Sequence, residues 1–477
     1  MSIVRSLIGY APAVVLPRLV ALLLVVLLTR LISRDEYGLW VMVTTVGEAV
    51  DMIASNWVRI ALARFASGHE GAVATEARRS LRIHLITLGL SVLVAIGLAP
   101  FLAPGRAIEF AIAVVLYMTA TAVLRWPSTI LSVQADRIGI VRVEAGKAFG
   151  LLVLGVGATL FSGSFFVQTL VFAVVTTIAG AWGWRRARHG FAGRDGEAAP
   201  LSGFLAYGLP IVPAAIVSSV LGSSDRLWLN ASDGAATVAL YAAGVMLAKQ
   251  PMDFLFSLAG VRVFPLLMED YERGGADLAG RRLAELVSGV GLITLPAAAG
   301  IVLVAEPMAG LLLAHDYVEA AVEVLPLAVA SALFAGFKTF VLDQIFHMVK
   351  RNGLNAAISL PAAVVGILAL ALLVPRWGIR GCAVAYLVQN AFLFAVTWVV
   401  TRRFVPLPVP WRDLGRIVAA TALMSLAVAA VAVPLAPLPV AVRLIGEVAT
   451  GILAYAAAAL LTRPAAFVEF LPRRWRN

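Results

Sequence analysis

From near residue 7 to residue 462 the sequence is a succession of apolar runs with only short polar interruptions. A helix needs about 20 residues to cross the hydrocarbon core of a bilayer. Fourteen runs of roughly that length lie near 7–32, 38–62, 81–101, 108–134, 145–161, 165–184, 203–230, 235–265, 284–305, 319–342, 354–375, 380–401, 413–434 and 440–462. The pattern predicts an all-α polytopic membrane protein with about 14 transmembrane helices. No loop between the runs is long enough to bury a core of its own.

Composition agrees. Of the 477 residues, 61% are hydrophobic and 14% charged, whereas a soluble domain carries about 25% charged residues. The single cysteine, Cys382, excludes an internal disulfide framework. The first run is too long for the apolar part of a signal peptide and is interrupted by Arg18, so it reads as an uncleaved span.

A net charge of +11 could suit nucleic acid, but the cations lie in short clusters between the apolar runs. One set of alternate loops holds only Arg30, Arg34, Arg106, Arg376, Arg380 and Arg443. Arg18, Arg59, Arg125, Arg226, Lys249 and Lys338 fall inside runs, and all the rest of the 38 Lys and Arg occupy the opposite set of segments. This alternation is the positive-inside pattern, with both termini cytoplasmic and no nucleic-acid partner.

The Arg- and Gly-rich stretch beginning at Arg185-Arg186 divides the runs into six, six and two. The expected organisation is an N-terminal six-helix lobe (1–184), a cytoplasmic linker (185–202) and a C-terminal six-helix lobe (203–401). Two additional helices and a basic tail follow (402–477). A faint repeat supports the division. Gly9-Tyr10-Ala11-Pro12 with Pro17 in the first run corresponds to Tyr207-Gly208-Leu209-Pro210 with Pro213 in the seventh. Proline-broken helices at matching positions of two halves point to a transporter's binding region.

Charges at membrane depth cost at least about 2.5–3.5 kcal/mol each, so they face protein or a wet cavity. The second run has the clearest series: Thr44, Glu48, Asp51, Ser55 and Arg59, at steps that share one helical face over about 22 Å. A buried seam explains this less well than a water-lined lumen, and Glu48 and Asp51 are candidate ion-coupling carboxylates. Arg125 has no carboxylate at helical spacing and needs a partner from another span or an anionic ligand; Arg18 is in the same position. The unpaired Arg18 and Arg125, with Arg59, make one half electropositive, and the guanidinium fork suits phosphate.

Lys249 and Asp253, four apart, form either a local pair or a substrate or coupling site. Asp225 and Arg226, near the outer end of the seventh run, read as an ion pair or gate element. Lys338 and Asp343 read as structural, with Asp343 near the cytoplasmic surface. Enzyme chemistry has no visible home, and no catalytic or metal-ligating residue is assigned. Gly146-Lys147 lacks the rest of a phosphate-binding loop, and His69, His84, His189, His315 and His347 show no metal spacing.

Several stretches taken together resemble a known family. Leu28-Thr29-Arg30-Leu31-Ile32-Ser33-Arg34-Asp35-Glu36-Tyr37-Gly38-Leu39 resembles a first-loop signature, and Tyr207-Gly208-Leu209-Pro210 with Ser224-Asp225-Arg226 a seventh-helix one. Leu240-Tyr241-Ala242, Val263-Phe264-Pro265-Leu266 and Ala314-His315-Asp316-Tyr317-Val318-Glu319-Ala320-Ala321 follow in order. The set is similar to the oligosaccharide flippase branch of the multidrug/oligosaccharidyl-lipid/polysaccharide exporter superfamily. Beyond about residue 400 only the pattern of spans matches.

The resemblance implies two six-helix lobes around a central cavity, plus two C-terminal helices. It also implies translocation of a polyprenyl-diphosphate-linked glycan across a bacterial inner membrane by alternating access. On that basis Arg18, Arg59 and Arg125 receive the diphosphate. Glu48, Asp51 and Asp253 couple to H+ or Na+, no other cofactor is expected, and Asp225, Arg226 and Lys249 form lumen or gate ion pairs. Membrane lipids and the polymerase and glycosyltransferases of the same pathway are the expected partners. A multidrug extruder of the same superfamily is the main rival. A membrane-embedded polysaccharide polymerase is a weaker one, because it needs a catalytic outer loop larger than any here.

Overall fold

The computed structural model describes residues 19–67, 73–188, 200–260, 263–351 and 353–468, and every regular element among them is helical. Arg18, the prolines of the first run, most of the linker and the basic C-terminal tail lie outside the described residues. The first element, α1, spans Leu19–Leu31. The helices α2 (Arg34–Ala54), α3 (Asn56–Ser67), α4 (Val73–Leu102), α5 (Ala107–Val133), α6 (Arg137–Phe161) and α7 (Phe165–Arg188) follow. Next come α8 (Leu201–Gly208), α9 (Ile211–Asp233), α10 (Ala235–Gly260), α11 (Val263–Leu303), α12 (Ala305–Leu312) and α13 (His315–Phe337). A π-helical turn, Lys338–Leu342, leads into α14 (Asp343–Met348), α15 (Gly353–Thr401), α16 (Trp411–Leu435), α17 (Val440–Thr462) and α18 (Ala465–Val468).

Ten helical stretches among the described residues are long and apolar enough to cross a membrane, or eleven if the bent pair α2–α3 is one span. The expected fourteen are drawn together in this count for identifiable reasons. The stretch Ala235–Leu303 joins two expected spans. α15 carries two more, divided at Gly378, whose φ of 51° is a left-handed conformation that glycine adopts at no steric cost. The first expected span begins ahead of the described residues.

Local chemistry explains the boundaries. Ser33 caps α2, its hydroxyl accepting from the Glu36 N–H at 3.3 Å, and Asp35 and Glu36 place negative charge at the positive end of the helix dipole. Asp136 caps α6 in the same way through the Gly139 N–H at 3.0 Å. Pro210 stands between α8 and α9, where it supplies no backbone N–H to continue the helix. The second run is not one straight helix. It breaks at Ser55, and α3 leaves α2 at 46°.

The chain forms two compact units, Met1–Ala242 and Ala243–Asn477. In the first, α5 packs along α7 and α4, while α2 lies against α9, α5 and α4. Leu62, Trp126, Ile130, Leu131 and Val143 make one buried cluster; Trp57, Val58, Ala61 and Phe204 make another. The sequence boundary at 185–202 groups α8 and α9 with the later helices. In the structure they rest on α3 and α2, with the Phe204 ring 6.3 Å from Trp57 and Ser219 donating to the Ala49 carbonyl at 3.3 Å. The second unit is built on the α13–α15, α16–α17 and α11–α16 contacts.

The helices bury their polar side. On α4, Leu85, Ile86, Leu90, Leu93 and Phe101 are exposed, while Glu76, Ser80, His84, Thr87 and Ser91 are buried. That is the reverse of a water-soluble helix and suits a surface bathed in lipid, where apolar side chains cost nothing to expose.

Candidate functional site

The bend at Ser55 brings Arg59 of α3 back toward Asp51 of α2. Its guanidinium grips the carboxylate with both forks, Nη1 to Oδ1 at 3.0 Å and Nη2 to Oδ2 at 2.8 Å. Arg125 reaches the same carboxylate from α5, donating through Nη1 to Asp51 Oδ2. Its Nη2 lies 2.8 and 2.6 Å from the two oxygens of Glu48. Tyr117, two turns earlier on α5, donates its phenol to Glu48 Oε1 at 2.7 Å. Arg125 therefore takes its partners from another span, one of the two possibilities open from the sequence.

Packing fixes this geometry. The Tyr117 ring stacks on Phe172 at 4.5 Å and meets the edge of Trp40 at 6.5 Å. Gly47 lets the ring lie against α2, since a Cβ there would stand 2.4 Å from Tyr117 Cδ1. Thr87 of α4 supports the bend through a hydroxyl contact of 3.2 Å with Ser55.

The cluster holds two guanidiniums and two carboxylates, so it is neutral as a set. It has a closed end and an open end. The Asp51 and Arg59 side chains are 4% and 9% exposed, whereas Arg125 and Glu48 are 33% and 46% exposed. Removing either member of the closed pair leaves a buried charge, at a cost of roughly 3–5 kcal/mol. The open pair is worth far less because water screens it. An incoming anion can therefore compete with Glu48 for Arg125 without dismantling the Asp51–Arg59 grip.

The other charged residues singled out from the sequence have partners of their own. Asp225 is buried, accepting from the Tyr241 phenol at 2.9 Å and from the Arg226 N–H at 2.8 Å; Arg226 Nη1 faces the Gly222 carbonyl at 3.4 Å. Lys249 and Asp253 pair within α10, half-exposed, the first of the two readings left open by their spacing. Asp343 is buried: Lys338 Nζ sits 2.9 Å from its Oδ2 and 2.8 Å from Asn355 Oδ1. The π-helical turn makes that contact, because its wider winding aligns residues five apart. Among the described residues no group of three His, Cys, Asp or Glu could hold a metal ion.

Two residues of the site were missed from the sequence. Tyr117 stands four residues before Thr121 and eight before Arg125, a spacing that puts all three on one helical face and was the signal for it. His84 is buried in α4, where both Arg59 and Asp51 act on it electrostatically. The spacing Glu76, Ser80, His84, Thr87, Ser91 was a signal for it, since all five share a helical face.

These features define a polytopic α-helical membrane protein with a paired arginine–carboxylate centre inside its first helical unit. Residues 27–322 match the family described as polysaccharide biosynthesis protein, and the chain belongs to that family. No curated protein matches the sequence.

Among solved structures, the fold is similar to the lipid II flippase MurJ in its inward closed conformation. The TM-score is 0.71 and the identity 14%, over 96% of this chain and 99% of that one. An inward-facing multidrug resistance MATE family transporter of the MOP superfamily gives a TM-score of 0.65 at 16% identity, over 81% of this chain and 94% of that one. A MOP superfamily transporter from Pyrococcus furiosus gives 0.56 at 15%, over 84% and 94%. At these identities the likeness is one of fold.

Proposed function

We propose that the protein translocates a polyprenyl-diphosphate-linked oligosaccharide from the cytoplasmic to the periplasmic face of a bacterial inner membrane. It does so by alternating access, coupled to an ion gradient, in the assembly of O-antigen, exopolysaccharide or capsule. The observation that carries this reading is the half-open Arg125–Glu48 pair beside the closed Arg59–Asp51 pair. A diphosphate offers more acceptor oxygens and more charge than a carboxylate, and arginine's fork binds it in the same bidentate way.

In this mechanism Arg125 exchanges Glu48 for the diphosphate, Arg59 adds charge from behind, and Arg18 contributes from the first span. Glu48 and Asp51, with Asp253, exchange the coupling ion. Asp225, Arg226 and Lys249 serve as gate or lumen ion pairs. Both termini are cytoplasmic, no residue performs covalent chemistry, and the pathway's polymerase and glycosyltransferases act before and after the transfer.

The fold likeness to multidrug transporters favours one other reading, an extruder of drugs. Both carboxylates of this centre are already held by guanidiniums, so it offers a cationic drug no net attraction. Translocation of a fluorescent polyprenyl-diphosphate oligosaccharide in proteoliposomes separates the two. Arg125→Ala is expected to lower the rate at least tenfold. A parental rate in both Arg125→Ala and Arg59→Ala refutes diphosphate recognition here, and drug efflux without lipid transfer establishes the extruder.

A further inference from the structure

The buried face of α4 contains one polar group whose position the centre described above does not explain. Ser80 donates to the Ala77 carbonyl at 3.0 Å, Thr87 to the His84 carbonyl at 3.0 Å and Ser91 to the Thr87 carbonyl at 2.7 Å, so each hydroxyl is satisfied within its own helix. Glu76 pairs with Arg79. His84 differs. Its side chain is buried, the residue being 2% exposed, and neither Nδ1 nor Nε2 has a hydrogen-bond partner among the described residues. A neutral imidazole carries one donor and one acceptor, and buried polar groups are nearly always used. An imidazole left with both unused, next to an ion-pair network, calls for a role.

The charged groups that act on the ring are Arg59 from α3 and Asp51 from α2. Arg125 of α5 is tied to Asp51. α9 meets α4 at the far end of the helix, where Asn230 donates to the Leu102 carbonyl at 2.9 Å, so Asp225 and Arg226 lie well away from the ring. A charged imidazole here would place a second N–H close to Arg59 with no acceptor for it among the described residues. An anion arriving on the two arginines cancels the field of Arg59 at the ring.

We propose that His84 is a proton-binding site linked to anion binding at the Arg59–Arg125 centre. When a diphosphate binds, the free ring nitrogen takes one proton from solvent and the imidazole becomes imidazolium. When the anion leaves, the proton leaves with it. Two negative charges enter a neutral cluster, and the imidazolium offsets one of them. Linkage is reciprocal, so acid tightens diphosphate binding by up to about tenfold per pH unit while one proton is taken up. The choice of diphosphate rests on the proposed function; the proton site does not.

The test uses the full-length protein in nanodiscs, with farnesyl diphosphate as the probe. Calorimetry in buffers of different ionisation enthalpy measures protons taken up on binding. The native protein is expected to take up about one more proton than His84→Gln, and its affinity to rise more steeply between pH 8 and 6. Equal proton uptake in the two overturns the proposal.

A second measurement needs no probe. In protein carrying 13C-labelled histidine, the His84 line is identified by its loss in His84→Gln. Arg59→Gln removes the neighbouring charge, and the midpoint of that line is expected to move up by about one pH unit or more. An unmoved line overturns the proposal whether or not the probe binds. Failure of the probe to bind any variant, with the line moved as expected, refutes diphosphate recognition and leaves the proton site standing.

Discussion

Replacing Asp51 by asparagine tests the centre most directly, because one carboxylate serves two arginines. The amide keeps the shape of the side chain but removes the charge that holds Arg59, whose side chain is 9% exposed. A buried ion pair broken on one side costs roughly 3–5 kcal/mol, most of it from the stranded charge. Arg125 loses less. It keeps Glu48 and is one-third exposed, so its share is at most about 1 kcal/mol. The sum expected for Asp51→Asn is therefore about 3–6 kcal/mol.

Removing both members together strands nothing, and apolar replacements of buried pairs are often neutral. Asp51→Leu/Arg59→Leu should recover most of the loss. Reversible unfolding in mixed detergent, followed by tryptophan fluorescence and far-UV dichroism, measures all three proteins. A loss below about 1 kcal/mol in Asp51→Asn, or a double variant worse than the single, refutes the closed-pair account.

Other positions give sharper, smaller tests. Gly47→Ala puts a methyl 2.4 Å from the Tyr117 ring; it should cost about 1–3 kcal/mol and weaken the Tyr117–Glu48 contact, seen as a lower translocation rate beside a lowered melting point. Lys338→Met strands the buried Asp343 and should cost roughly 3–5 kcal/mol, with Lys338→Met/Asp343→Leu restoring most of it in the same unfolding assay.

At the expected cytoplasmic end of α6, the Arg186 guanidinium, 2.7 Å away, holds the Asp136 carboxyl below its ordinary value. A carboxylate with a depressed folded value contributes stability above about pH 4 and loses it as pH falls through that value. Asp136→Asn should thus be less stable than the parent at pH 7, and the gap should close below about pH 3. A gap that persists unchanged into acid contradicts the pairing.

How far the site was legible depended on whether its residues share a helix. Glu48, Asp51 and Arg59 stood out because helical spacing is printed in the sequence itself. That Arg125 required an outside partner followed from its isolation, yet nothing in the chain says which residue, far along the sequence, would meet it. The bend at Ser55 was invisible, since serine neither forbids nor demands a break.

His84 was set aside as one of five scattered histidines, when its place in the Glu76–Ser91 series was the informative property. Lys338 and Asp343 are misaligned on an α-helix and become neighbours only through a π-helical turn, a backbone choice made by tertiary packing. The glycine breaks at Gly378 and at Gly274–Gly275 likewise change how spans are counted without altering the apolar pattern.

The pairing of Asp51 with Arg59 also bears on how the chain enters a membrane. Synthesis delivers these two residues on one bent segment, α2–α3, long before α5 exists. The pair can close during insertion and presents the bilayer with a dipole instead of two ions, each of which costs about 2.5–3.5 kcal/mol on insertion scales. Arg125 arrives some 70 residues later and finds Glu48 and Asp51 already in place to receive it. The order of residues along the chain is thus also an order of neutralisation, in which no guanidinium of this centre has to wait in lipid for its counter-charge.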